Sequence, residues 1–468
     1  MRDFKPVVAL LALATLPCVA PAADEVAAAS RADAVQGLRA ELQALKTDYS
    51  SRVDALEARI KQLEAANAAA ADAALAMAAA PPPAAAPTPE PAPTGASGGN
   101  ATAFNPAISL ILGGSFTGTS RDPGDWHIAG FPPAGEEGGP GDRSFNLGES
   151  ELTFSASIDP YFSGVLTAAI TGENEIEVEE AYFRTTSLHN GLTVKGGRFF
   201  SGFGYLNEVH AHAWDFVDQP LVYQAMFGGQ YRQNGLQLKW LAPTDLFLEF
   251  GAETGNGDGY PATRLEKNGF NGATLFAHVG GDIGDYTSWR AGASWLTQKA
   301  EDREGGIPDA DGFPLFEQFT GDSDTWVVDG VLKWAPNPRR QLKVQGEYMH
   351  RRESGEIADS LGTPIADDYR NTSSGWYLQS VYQFAPRWRA GARYDSLESD
   401  APSYTFAPPD LLEGSPDRMS LMLDWNPSEF SRLRAQYDWD NARDDGERDR
   451  IWRLQYIYGI GAHGAHKY

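Results

Sequence analysis

Residues 208–216 read EVHAHAWDF, which sets His210 and His212 two positions apart between Glu208 and Asp215. Imidazole nitrogens mixed with carboxylate oxygens are a donor set that suits Zn²⁺. His210 and His212 are therefore the candidate metal ligands and zinc the candidate cofactor, with His463 and His466 near the end of the chain as a sparser second pair. The plainer alternative is that histidines in an aromatic segment simply pack and hydrogen-bond. Glu208, Asp215 and Asp218 also form an acidic set that could face cations of the chain itself. Arg389, Arg393, Arg432 and Arg434 share one parity of alternating segments, with Lys195, Lys239, Lys343 and Arg453 as further members. Opposed rows of acid and base would build a transverse field that sorts solutes by charge and dipole. The same arginines could instead pair with neighbouring carboxylates and only solvate an interior. Hydrolytic chemistry has no comparable pattern. Residues 105–468 hold no G-x-S-x-G, and the chain has no H-E-x-x-H and no phosphate-cradling P-loop, so no catalytic residue is assigned and the reading is not an enzyme.

The elements that would position these residues are strands. From about residue 105 the texture is apolar/polar alternation punctuated by turns, the half-buried strand pattern. Sixteen candidate strands fall at 107–119, 144–159, 162–171, 176–186, 192–200, 229–241, 246–256, 273–283, 286–299, 324–335, 340–352, 374–385, 387–398, 417–426, 431–442 and 449–461. In RLRAQYDWD, Leu433, Ala435, Tyr437 and Trp439 share one face, and Arg432, Arg434, Gln436, Asp438 and Asp440 the other. Short connections such as APTD, GDIGD, APNPR and FAPR alternate with connections that are mostly long. Short turns on one rim and long loops on the other fit a membrane barrel, whose apolar residues face lipid and whose polar ones face the lumen. A soluble sandwich has no reason to segregate its connections that way. The expected fold is all-β: a sixteen-stranded antiparallel transmembrane β-barrel over 105–468, preceded by an α-helical coiled coil.

The N-terminal part reads differently. Residues 1–22 carry Arg2 and Lys5, the apolar run VVALLALATL and the small-residue site Ala20–Ala22, a secretory signal. Cleavage there removes Cys18, the single cysteine, which excludes disulfide and thiolate chemistry in the mature chain. Within 23–66, Val35, Leu38, Leu42, Leu45, Tyr49, Val53, Leu56, Ile60 and Leu63 follow heptad spacing with one stutter, a seam best buried by copies of itself. Residues 67–104 are Ala- and Pro-rich and form an extended spacer. The net charge of −25 argues against a nucleic-acid partner, since phosphate binding needs clustered Lys and Arg.

Three stretches carry a family resemblance. Residues 201–229, SGFGYLNEVHAHAWDFVDQPLVYQAMFGG, are the third long connection and too apolar for a solvated loop. They resemble the trimeric porins, in which the third loop folds into the barrel and narrows the pore. LTVKGGRFFSGFG, just before it, is similar to the strand-to-loop passage of porins with phosphate or oligosaccharide substrates. The terminal strand IWRLQYIYGIGAHGAHKY alternates aromatics to Tyr468 and resembles the outer-membrane recognition signal, although Gly464 and His466 stand where apolar residues are usual. EVHAHAWDF and GAHGAHKY are also similar to proteins labelled zinc-responsive or TonB-dependent, but residues 23–100 provide no plug domain. The resemblance implies an outer-membrane homotrimer passing small hydrophilic solutes or ions, with Glu208, Asp215 and Asp218 facing Arg389, Arg393, Arg432 and Arg434 at a constriction formed by 201–228. Two alternatives stay open. One is an envelope tether whose coiled coil grips a periplasmic or cell-wall partner; the other is zinc-related uptake.

Overall fold

A computed structural model describes Lys61 and residues 106–461, except 133–137, 173–174, 264–267, 306–317, 359–361 and 405–412. The chain divides into two units, Met1–Ser97 and Gly98–Tyr468. The signal segment, the linker, the coiled-coil segment other than Lys61, and His463, His466 and Tyr468 lie outside the described residues.

The strands in chain order are β1 Ala107–Thr119, β2 Ser144–Asn146, β3 Ser150–Ser157, β4 Phe162–Ile170, β5 Ile176–Thr185, β6 Leu192–Phe200, β7 Arg232–Leu241, β8 Phe247–Gly255 and β9 Gly272–Ile283. They continue as β10 Thr287–Glu304, β11 Gln318–Asn337, β12 Arg340–Ala358, β13 Pro364–Ala385, β14 Trp388–Ser399, β15 Asp417–Ser428, β16 Ser431–Asn441 and β17 Asp449–Gly461. From β3 to β17 each strand pairs antiparallel with the next. β1 then joins both ends of that series, pairing with β3 from Ala107 to Ile111 and with β17 from Ser109↔Gly461 to Thr119↔Ile451. The sheet is thus a closed barrel of sixteen strands, with β2 as a short addition against β1.

The alternation reads directly into the two faces. On β17, Trp452, Leu454, Tyr456 and Tyr458 are exposed outward, while Arg453 and Ile457 are buried inward. On β16, Leu433 points out and Arg434, Gln436, Asp438 and Asp440 point in. The outer face is bonded by cross-strand aromatic pairs, including Phe116–Trp452 at 4.9 Å between ring centroids and Trp388–Trp425 at 6.1 Å. An outside covered by exposed Trp, Tyr, Leu and Phe with charge inside is the inverse of a water-soluble protein. It suits a chain whose solvent is hydrocarbon.

Two details depart from the sequence reading. The segment 144–159 forms two strands rather than one, because Gly148 turns the backbone to φ +58° and separates β2 from β3. The backbone approaches closely there: a Cβ on Gly113 would meet the Glu149 carbonyl oxygen at 2.4 Å. Strands β10 to β13 also run further toward the long-loop rim than alternation indicates, reaching Glu304, Gln318, Ala358 and Pro364. Beyond the hydrocarbon both faces of a strand meet water or protein, so apolar/polar alternation stops while backbone pairing continues. A small cluster of Ala300, Phe319, Ile357 and Tyr369, with the Arg303–Glu353 ion pair at 2.7 Å, holds this projecting portion.

Leu454→Arg, placing a charge on the lipid face of the closing strand, is expected to destabilise the barrel by about 2–4 kcal/mol if the site lies near the bilayer midplane. The inward-facing Gln455→Arg should cost much less. Reversible unfolding in lipid vesicles measures both, and equal costs would contradict the face assignment.

Candidate functional site

Between β6 and β7, residues 201–231 turn back into the lumen and pack against inward-facing side chains of the wall. Asn207 fastens the base of this loop. Its amide nitrogen donates to the carbonyls of Ser201 and Tyr231 at 2.8 Å each, and its Oδ1 accepts the Tyr231 N–H at 2.8 Å. Pro220 starts a helix of about two turns, α1 (Leu221–Phe227), whose residues are all buried, and Gly228 ends it at φ +67°. Phe203, Leu206, Val222, Tyr223, Met226 and Phe227 form an apolar cluster with Leu296, Val327, Met349, Tyr377 and Leu397 of the wall. This explains a loop of such apolar composition: its core lies inside the barrel.

Polar anchors fix the register of that packing. The Glu347 carboxylate accepts the backbone N–H groups of Tyr205 and Leu206 at 3.2 and 2.9 Å and the hydroxyls of Tyr223 and Tyr377 at 2.9 and 2.7 Å. Glu253 accepts the Ser201 hydroxyl at 2.5 Å and the Gly202 N–H at 2.8 Å. Asp395 accepts the Leu221 N–H at 3.0 Å, at the helix start. Buried carboxylates taking several N–H and O–H bonds satisfy backbone groups that would otherwise be costly to bury.

The loop acids meet the wall directly. Asp215 pairs with Lys343 at 2.8 Å and Arg389 at 2.9 Å. Asp218 receives Arg418 at 2.7 Å, Arg393 at 2.9 Å and Arg453 at 3.4 Å, and accepts a hydrogen bond from Gln436 at 2.8 Å. The arginines are shared with acids of the wall: Arg393 with Asp395, Arg418 with Asp440, Arg453 with Asp438, and Arg389 and Arg434 with Asp424. Arg432 donates to the carbonyls of His212 and Trp214 at 3.2 and 3.0 Å, and Arg434 to that of Trp214 at 2.7 Å. Sequence reasoning set Asp215 and Asp218 across a gap from these cations. In the structure both acids touch wall cations directly, in two ion-pair groups: Asp215 with Lys343 and Arg389, and Asp218 with Arg393, Arg418 and Arg453. Glu208 belongs elsewhere: its charge acts on Lys239 and Glu249, an ion pair of 3.1 Å on β7 and β8. Lys195 lies over the Tyr182 ring at 4.6 Å.

The histidines hold the other flank of the loop. His210 Nδ1 is 3.2 Å from Glu151 and 3.2 Å from Glu179, and its Nε2 is 3.2 Å from Glu180. His212 Nδ1 is 2.6 Å from Glu151. Glu151 is on β3, and Glu179 and Glu180 are on β5, so residues 210–218 bridge from an acidic side of the barrel to a basic one on β12 and β14–β17. Burial pushes the His210 imidazole down, but the surrounding carboxylates outweigh it and raise the group well above its ordinary value. Burial likewise favours neutral Asp215 and Asp218, yet Lys343 and Arg389, and Arg393, Arg453 and Arg418, hold these carboxyls below the usual range.

Several residues of this site were missed in the sequence. Arg418 shares the inward parity of Ser420, Met422 and Asp424, so the same test that found Arg432 and Arg434 would have found it. Glu179 and Glu180 are adjacent, and adjacent acids in a strand break alternation; that break was the available signal. For Glu347 and Glu253, nothing local in the sequence distinguishes an acid that caps a distant loop from one that only faces the lumen.

A closed barrel with a lipid-type exterior, a charged lumen and an inward-packed third long loop is a transmembrane-type β-barrel. No family model matches the chain. It is 30% identical over 396 residues, 78% of this chain and 80% of the relative, to an uncharacterized protein of Aquifex aeolicus (strain VF5), and belongs to the same family. Among solved structures it is similar to a loop L8 deletion mutant of OmpT, an outer membrane protein of Vibrio cholerae, at 11% identity and a TM-score of 0.48, covering 76% of this chain and 99% of that one. It is also similar to Pseudomonas putida OprB in a high-pH structure (13% identity, TM-score 0.48, 76% and 94% covered) and to an anion-selective porin from Comamonas acidovorans (10%, 0.48, 76% and 99%).

Asp218→Ala leaves buried arginines without their shared acid, and should loosen loop docking by about 3–5 kcal/mol. Amide exchange in 221–227 should accelerate while exchange in β12–β17 stays slow; unchanged exchange would show that apolar packing alone seats the loop. Because the folded Asp215 and Asp218 carboxyls lie below their unfolded values, their contribution is complete above about pH 4 and is lost only as pH falls through the depressed folded values. The share of loop protection that these two groups supply, read as the difference in exchange between wild type and Asp215→Asn or Asp218→Asn, should therefore be flat from pH 7 to about 4.

Proposed function

We propose that the protein is a passive diffusion channel of the outer membrane for small hydrophilic solutes or ions, narrowed by residues 201–228. The observation that carries this reading is the third long loop, packed inside a closed barrel and pinned by Asp215 and Asp218 to a row of wall arginines. A loop needed only as a cap has no use for so many buried charge contacts across the lumen. Fixed dipoles and charges at a constriction supply selectivity, and the solute supplies the gradient. Most arginines here are partnered by aspartates, so the network acts as a graded dipolar surface more than as a bare positive ring. A three-fold assembly of such barrels, with the N-terminal helices on the periplasmic side, completes the proposal.

Purified protein in planar bilayers should give stepwise conductance with a measurable reversal potential in a salt gradient. Asp218→Ala and a deletion of 221–227 should both enlarge the step, the deletion more. Electrically silent membranes from folded protein would refute the channel, and unchanged steps in both variants would remove the loop from the conduction path.

A further inference from the structure

The acidic side of the barrel contains a feature that narrowing the lumen does not need. β5 carries a bulge: Thr167 pairs with Glu180 and Ala168 with Val178, so Glu179 has no partner opposite it. The bulge reverses the parity of the strand, since Val178 and Phe183 both face outward although an odd number of positions separates them. Its consequence is that consecutive carboxylates, Glu179 and Glu180, are both buried in the lumen. Bulges re-aim side chains at functional sites, and here both acids are aimed at one imidazole.

The geometry around that imidazole is specific. Glu180 faces His210 Nε2 at 3.2 Å, the position of a carboxylate that takes the ring N–H and fixes the tautomer. Nδ1 then points at Glu151 Oε2 and Glu179 Oε2, each 3.2 Å away. A positive charge belongs among Nδ1 and these two carboxylates, and either a proton on Nδ1 or a cation in its place supplies it. The His210 nitrogen and an oxygen from each of Glu151 and Glu179 lie within 4.8 Å of one another. Ligands about 2.1 Å from a tetrahedral ion stand about 3.4 Å apart. His212 Nδ1, 2.6 Å from the other oxygen of Glu151, orients that carboxylate from behind.

We propose that His210, Glu151 and Glu179 bind a divalent first-row transition cation, with Glu180 and His212 as positioning residues. One nitrogen and two carboxylates, with further positions left to water or solute, suit Zn²⁺, Co²⁺ or Mn²⁺ better than Mg²⁺, which prefers oxygen ligands alone and keeps its waters. The ion joins the loop to β3 and β5, opposite the attachment that Asp215 and Asp218 make to the arginines. Binding is independent of whether the barrel conducts, so it stands or falls separately from the channel reading.

The test uses the full chain folded in detergent, stripped with chelator and titrated with Co²⁺. One saturable visible absorption band per chain is expected, displaced by Zn²⁺ and untouched by excess Mg²⁺. His210→Asn and Glu179→Gln should abolish the band, and Glu180→Gln should weaken binding roughly 10–100-fold. The double variant His463→Ala/His466→Ala should bind normally. A wild-type protein with no saturable Co²⁺ band overturns the proposal, whatever the folding of the variants. So does a band that survives in folded Glu179→Gln, or one lost with His463 and His466.

Discussion

A backbone surrounded by hydrocarbon has no water to bond to, and each unpaired amide or carbonyl there costs several kcal/mol. Everything else in this molecule follows from meeting that condition by circular pairing. The last strand and the first are separated by nearly the whole described chain, yet they pair along β1 from Ser109 to Thr119, all but its first two residues. Once the ring is closed, side chains have two destinations, lipid or lumen, and the chain sorts them by parity. The outward stripe of Trp452, Leu454, Tyr456 and Tyr458 and the inward Arg453 are two results of one geometric rule.

The lumen then poses the opposite difficulty. It is polar, and an apolar loop entering it must bring its own core and settle its own charges. Residues 201–231 do both. Met226, Phe227 and Val222 meet apolar wall positions such as Leu296, Val327 and Met349, while Asp215 and Asp218 enter a lattice of alternating Arg and Asp. Breaking such a network at one member leaves uncompensated buried charge, so its geometry is held tightly even where its net stabilisation is modest. The two flanks differ in kind: guanidinium groups receive carboxylates on one side, and carboxylates receive imidazoles on the other.

The barrel was largely legible in the sequence because lipid exposure imposes a period of two, displayed most clearly over 432–440 and in the outward residues of 452–460. Legibility failed where that pressure stops. Strands β10 to β13 continue past the point where alternation ends, and β5 switches parity at Glu179. At the site, the acidic and basic residues could be named from composition and parity, but their contacts could not. Asp218 and Arg453 are 235 positions apart, and no local pattern tells that their side chains touch. Glu347 illustrates the same limit, since its role is set by the backbone of Tyr205 and Leu206, 142 and 141 positions away.

Those separations bear on the order in which the molecule can be assembled. The aspartates of the loop leave the ribosome well before Arg393, Arg418 and Arg453, which lie 175, 200 and 235 positions later. Contacts between distant positions form late because their loop-closure entropy must first be overcome. Complete seating of 201–231 therefore awaits the C-terminal strands that carry these arginines.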